Sequence, residues 1–138
     1  MVKIMLASHG NLAAGMLSSA EMVFGKQDNV SVICAYVDGE DDVSTRIKGF
    51  IDSIAPDDSW IIFTDLFGGS VNNELLELTA KENVHLVTGT NLILAMSILL
   101  TCPASDDVAD TIRGCIEEAR TGIVYCNDME IDSDLDEL

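Results

Sequence analysis

The chain has 138 residues, 48% of them hydrophobic, and a formal net charge of −17. That length suits one domain with a continuous core, and so negative a field excludes nucleic-acid and anionic-membrane binding while steering basic protein partners toward it. Six acids, Asp128, Glu130, Asp132, Asp134, Asp136 and Glu137, fall in residues 127–138, which carry no base and leave −11 on residues 1–126. The expected organisation is therefore a single α/β domain over 1–126 followed by an acidic, disordered tail over 127–138.

In chain order, Val2–Ser8 is a short apolar run ending at His9-Gly10-Asn11, which reads as a buried parallel strand breaking into a loop. Leu12 to Phe24 places Leu12, Met16, Ser19/Ala20 and Val23 at helical spacing, with Gly25 to close it. Val30 to Val37 reads as a second strand, and Asp38–Asp42 as a turn in which Asp41 or Asp42 caps a helix from Val43 to Ile54. Pro56-Asp57-Asp58 precedes a third strand, Ser59 to Thr64. Gly68-Gly69 opens a helix from about Ser70 to Lys81, and Val84 to Thr88 is a fourth strand. A loop at Gly89-Thr90-Asn91 leads into the apolar helix Leu92 to Thr101, which Pro103 ends. Ser105 or Asp106 caps a helix over Asp107 to Arg120, and Ile123 to Cys126 reads as a short last strand.

The opening residues lack the basic and apolar pattern of a signal peptide. The longest apolar stretch, Leu92 to Leu100, is nine residues long, against about 20 needed to span a bilayer. Cys34, Cys102, Cys115 and Cys126 show no C-x-x-C pairing and no metal-ligand spacing with the two histidines. A cytosolic protein with reduced, mostly buried thiols, no bound metal and no membrane insertion is expected.

Strands alternating with helices imply βαβ crossovers and a parallel sheet covered on both faces. The expected architecture is a small doubly wound sheet of order 2-1-3-4. In that order the switch point lies between the first and third strands, where open α/β sheets place their sites. It brings His9 and Asp65 to one crevice. A carboxylate beside an imidazole accepts the proton of one ring nitrogen and leaves the other free to attack. Gly68, Gly69 and Ser70 offer backbone N–H groups to an anion at a helix start. Taken singly, each has a plainer reading: a hydrogen-bonded loop histidine, a charge at a helix N-terminus, a tight turn. The pattern G-x-x-x-x-G-K-[ST] is absent, which argues against ATP binding through a phosphate loop. His85 starts a strand away from these loops and is expected to be structural.

At these residues the sequence resembles the enzyme IIA domains of the mannose-type class of the phosphoenolpyruvate-dependent sugar phosphotransferase system. The likeness is carried by Ala7-Ser8-His9-Gly10, Leu12-Ala13 and Gly15, Ala20-Glu21-Met22-Val23-Phe24-Gly25, Asp65-Leu66-Phe67-Gly68-Gly69-Ser70 and Gly89-Thr90-Asn91-Leu92, in family order across the body of the chain. The resemblance implies that His9 accepts a phosphoryl group from the carrier HPr and passes it to a sugar-specific IIB partner, on a histidine in this class. It implies Asp65 as the orienting carboxylate and Ser70, with the Gly69 and Ser70 amides, as phosphoryl ligands, with no cofactor. It also implies a homodimer in which the last strand, Ile123 to Cys126, crosses to the partner's sheet and helix Leu92 to Thr101 contributes to the interface.

Two positions depart from the family pattern. Val71 stands where proline usually follows G-G-S, and Ile93 stands where the pattern reads N-L-P-M. Two other readings share the crevice: the phospho-accepting subunit of a dihydroxyacetone kinase, and a non-catalytic regulatory module. A flavin site is disfavoured, because the first loop lacks a Ser/Thr-rich phosphate cradle. The sugar is not written in this chain, since membrane components choose it.

Overall fold

A computed structural model describes residues 2–66 and 69–130. Strand β1 (Val2–His9) lies between β2 (Val30–Ala35) and β3 (Ser59–Thr64), and β4 (Val84–Thr88) flanks β3. The order is β2-β1-β3-β4 with every pairing parallel, as the alternation of elements predicts. Register places Ala7 opposite Thr64 on one side and Ile33 on the other. His9 and Asp65 therefore leave the sheet side by side at the carboxyl ends of β1 and β3.

Both faces of the sheet are covered, which explains why β1 and β3 are apolar at consecutive positions rather than alternate ones. Ile4, Leu6, Ile61 and Phe63 pack against α1 (Leu12–Phe24), α4 (Leu92–Thr101) and α5 (Val108–Thr121). Met5, Ala7, Trp60 and Ile62 pack on the other side against α2 (Ser44–Ser53) and α3 (Ser70–Leu75). Phe63 is 1% exposed at the centre of this arrangement; truncating such a side chain to alanine costs roughly 3–5 kcal/mol.

Local structure departs from the sequence-based expectation at five places. Strand β2 stops at Ala35 rather than Val37, because Tyr36 turns into the left-handed region at φ 62°. The buried stripe of α1 is Ala13, Met16 and Ala20, while Leu12 and Val23 face outward. The helix expected over Ser70–Lys81 is α-helical only to Leu75 and continues as a 3₁₀ turn over Leu76–Ala80. Tighter winding aligns residues three apart, and it puts both Leu75 and Leu78 into the core. The cap of α5 is Asp107, whose side chain accepts from the Asp110 N–H at 3.0 Å, with Ser105 bonded to the Asp107 N–H instead. At α2 the expected Asp42 does accept from the Ser44 N–H at 2.9 Å, and that bond holds its carboxyl below the usual range.

The fifth difference is at the C-terminal side. Ile123, Val124 and Tyr125 form no strand within this chain; they are exposed and run into a 3₁₀ turn at Cys126–Asp128. They follow α5 past Gly122, and the outer edge of β4 is unpaired among the described residues. A groove of about 570 Å³ runs along that edge between β4 and α5, lined in part by His85, Val87, Ile112, Arg113 and Ile123. Residues 131–138 of the expected acidic tail lie outside the described residues. Among the cysteines, Cys102 and Cys115 are buried, Cys34 is half-buried and Cys126 is exposed; burial pushes the Cys102 thiol up to about 11.

Among the two family departures, Val71 is fully buried in the core behind the crevice, so its side chain replaces proline with packing. Ile93 rests its Cδ1 against Gly122, where a Cβ would collide with it.

Candidate active site

The loop after β1 is held by Ser8, which is fully buried. Its hydroxyl accepts from the Ala13 N–H at 2.8 Å and donates to the Gly10 carbonyl at 3.1 Å. It thus does the work of an N-cap for α1, whose first residues otherwise have no side-chain cap. Gly10 takes φ +63° and its N–H bonds the Ala35 carbonyl at 2.7 Å. A turn at that φ favours glycine, and it stops the chain so that His9 stays on the sheet's rim.

The loop after β3 is held from below. Thr64 Oγ1 donates to Asn72 Oδ1 at 2.6 Å, and the Thr64 carbonyl accepts from both the N–H and hydroxyl of Thr90. Asp65 follows directly. Its carboxylate accepts the His9 backbone N–H at 2.8 Å and the Leu66 N–H at 3.0 Å. It also faces His9 Nδ1, at 3.1 Å and 3.2 Å from its two oxygens. The Asp65 side chain is 9% exposed against 35% for His9. The carboxylate is thus sunk beneath an imidazole whose other edge reaches solvent.

That other edge carries Nε2, 3.2 Å from Ser70 Oγ at the start of α3. Gly69 leaves so little room that a Cβ there would lie 3.1 Å from His9 Cε1 and 3.3 Å from Leu66. The structure therefore brings together His9, Asp65, Gly69 and Ser70, four of the five residues singled out from the sequence. The fifth, Gly68, lies outside the described residues. Asp65 directs its oxygens to His9 and to the adjacent Leu66 amide, which makes it more than a charge at a helix start.

One residue of the cluster is missed by sequence reasoning. Tyr36 stacks on His9 with ring centroids 5.6 Å apart and planes at 24°, and its hydroxyl lies 2.8 Å from Ser70 Oγ. Its left-handed backbone costs roughly 1–3 kcal/mol for a bulky residue. The Tyr36 N–H donates to Glu40 Oε1 at 2.9 Å, Glu40 pairs with Arg46 at 3.0 Å, and Arg46 donates to the Cys34 carbonyl at 2.8 Å. The one available signal was an aromatic residue at the carboxyl end of the strand neighbouring β1, just before Asp38-Gly39.

His85 is elsewhere, on β4 facing the outer groove. Partial burial, then the charge of Arg113, lowers its pKa from the ordinary 6.5, with Asp107 opposing. Among the described residues no cluster of three or more His, Cys, Asp or Glu is placed to hold a metal, and no helix is long and apolar enough to cross a membrane.

The fold and this cluster define a class: small doubly wound domains that carry an imidazole, rather than a phosphate loop, at the switch point. The family model described as the fructose IIA component of the sugar phosphotransferase system matches residues 3–114, and the chain belongs to that mannose-type IIA family. It is 33% identical over 102 residues to the sorbose-specific EIIA component of Klebsiella pneumoniae, covering 72% of this chain and 73% of that one. It is 26% identical to the mannose-specific EIIAB component of Escherichia coli K12 over 88% of its own length, but spans only 38% of that longer protein. A crystal structure from Klebsiella pneumoniae, assigned to a phosphoenolpyruvate-dependent sugar phosphotransferase system permease, superposes with a TM-score of 0.86. It is 35% identical and covers 92% of each chain. The chain is thereby a phosphocarrier component of sugar transport.

Proposed function

We propose that His9 is the covalent phosphoryl carrier, accepting from phospho-HPr and passing to the IIB component of a mannose-type permease on the cytosolic side of the membrane. The observation that carries this reading is the polarity of the imidazole: Nδ1 faces a buried carboxylate and Nε2 faces outward toward Ser70. With Nδ1–H donated to Asp65, the Nε2 lone pair attacks phosphorus in line. The new Nε2–P bond forms as the P–N bond to the donor imidazole breaks, and the departing nitrogen keeps that electron pair. The phosphorylated ring keeps its Nδ1 proton and carries positive charge, which Asp65 neutralises without taking the proton. Ser70 Oγ–H and the amides of Gly68, Gly69 and Ser70 bind the phosphoryl oxygens, so positioning and charge stabilisation supply the catalysis. Onward transfer to IIB repeats the step in reverse order.

The decisive experiment is labelling from radioactive phosphoenolpyruvate with enzyme I and HPr. His9→Ala abolishes incorporation and His85→Ala retains it; full labelling of the His9 variant sinks the assignment. Two features support a homodimer, the further part of this reading. The edge of β4 is open beside a groove among the described residues, and Ile123, Val124 and Tyr125 are exposed apolar residues. An exchanged segment would complete the sheet and remove both exposures.

A further inference from the structure

We propose that Tyr36 is a positioning residue for phosphoryl transfer, holding the Ser70 oxygen fixed while the Ser70 proton changes partner. The inference rests on His9 being the acceptor, and it follows from counting protons in the row His9 Nε2, Ser70 Oγ, Tyr36 Oη. Asp65 can only accept, so the neutral imidazole carries its proton on Nδ1 and presents a lone pair at Nε2. The 3.2 Å contact from Nε2 to Ser70 Oγ is then bridged by the single hydroxyl proton of Ser70. Ser70 has no second proton, so the 2.8 Å contact to Tyr36 is bridged by the tyrosine's. The row runs one way: Tyr36 O–H to Ser70 O–H to Nε2.

This direction has a consequence for the reaction. In the resting state the Ser70 proton covers the lone pair that must attack. As Nε2 bonds to phosphorus it loses that lone pair, and the Ser70 O–H rotates to a phosphoryl oxygen. No proton is lost, and the Tyr36 O–H keeps donating to the same oxygen before and after. Without Tyr36 the Ser70 side chain is held in the resting state, among the described residues, by Nε2 alone and is released at the moment it is needed. The tyrosine ring meanwhile stacks on one face of the imidazole, leaving the in-plane Nε2 lone pair at the ring edge that Ser70 overlooks. The backbone arrangement fits a directed role: a left-handed tyrosine secured through Glu40 and Arg46 aims its hydroxyl at a serine on the far side of the crevice.

Tyr36→Phe keeps the ring and removes only the hydroxyl. In labelling from phospho-HPr it is expected to lower the maximal transfer rate about fivefold to tenfold, the loss of one positioning hydrogen bond, with the KM for phospho-HPr unchanged. In a Ser70→Ala background the same substitution is expected to have no further effect. Nitrogen NMR of the unphosphorylated protein gives a readout independent of transfer. Ser70→Ala should move the His9 Nε2 resonance toward that of an unbonded lone pair, leaving Nδ1 protonated, whereas Tyr36→Phe leaves the Ser70 O–H on Nε2 and should keep that resonance hydrogen-bonded. Equal losses with and without Ser70, or a Ser70→Ala variant whose Nε2 resonance stays at the wild-type position, overturn the proposal. If His9 is not the acceptor, the wild type itself fails to label through it, which separates failure of the first reading from failure of this one.

Discussion

The two histidines of this chain occupy opposite kinds of surroundings, although both sit on parallel strands of one sheet. His9 stands at a strand end where two loops of the same chain converge, with a carboxylate on one ring nitrogen and a hydroxyl on the other. His85 stands within an edge strand, beside a groove that none of the described residues fills, with Arg113 near it. The difference lies in what the backbone finishes. At the switch point the chain supplies every partner the imidazole needs. At the β4 edge, among the described residues, it leaves the strand unpaired and lines the gap with both apolar and charged side chains. A residue type therefore says little about its task until the neighbouring strands are ordered.

Changing the carboxylate tests the crevice most severely. Asp65→Asn should slow phosphoryl transfer to His9 by on the order of a hundredfold or more, because an amide neither fixes the same tautomer nor neutralises the phosphorylated ring. Initial labelling rates measure this, and a loss of only a few-fold would show that Asp65 serves the His9 backbone alone. The groove is tested by removing residues 123–138. If a second copy fills it, the mass in sedimentation equilibrium should fall about twofold from dimer to monomer. An unchanged mass would leave the groove unassigned to that segment.

The gentlest test uses the protonation of His85. Its pKa is lowered in the folded state, so between that value and 6.5 the unfolded chain binds more protons than the native one. Stability then rises with pH through this window and is lost as pH falls through it. Denaturation as a function of pH should show that slope, and His85→Gln should flatten it. A His85 resonance titrating at or above 6.5 would contradict the partly buried surroundings assigned to this histidine.

The strand order, both covered faces and the meeting of His9 with Asp65 and Ser70 were legible because they follow from periodicity and crossover handedness. Consecutive apolar residues in β1 require two packed layers, and right-handed crossovers then leave few orders. Tyr36 was not legible. Nothing in Val30–Val37 announces that pairing ends at Ala35, because Tyr36 and Val37 are both good strand formers. The turn is decided by the Glu40–Arg46 link reaching back to Tyr36 and Cys34, which is a tertiary contact. The expected last strand finds no partner within the described residues, for a related reason. Ile123 to Tyr125 has strand composition, but a strand exists only against a partner, and among the described residues none pairs with it.

By itself the sequence determined which strands are central, where the sheet changes direction, and that a histidine and an aspartate emerge there. Those features are set by local periodicity and chain handedness, which each segment carries within itself. Only the tertiary structure decided which ring nitrogen faces the carboxylate, that Tyr36 reaches Ser70, and that the β4 edge is unpaired among the described residues. These are matters of distances of about 3 Å between residues far apart in the chain, and such distances are fixed by packing rather than by any segment alone.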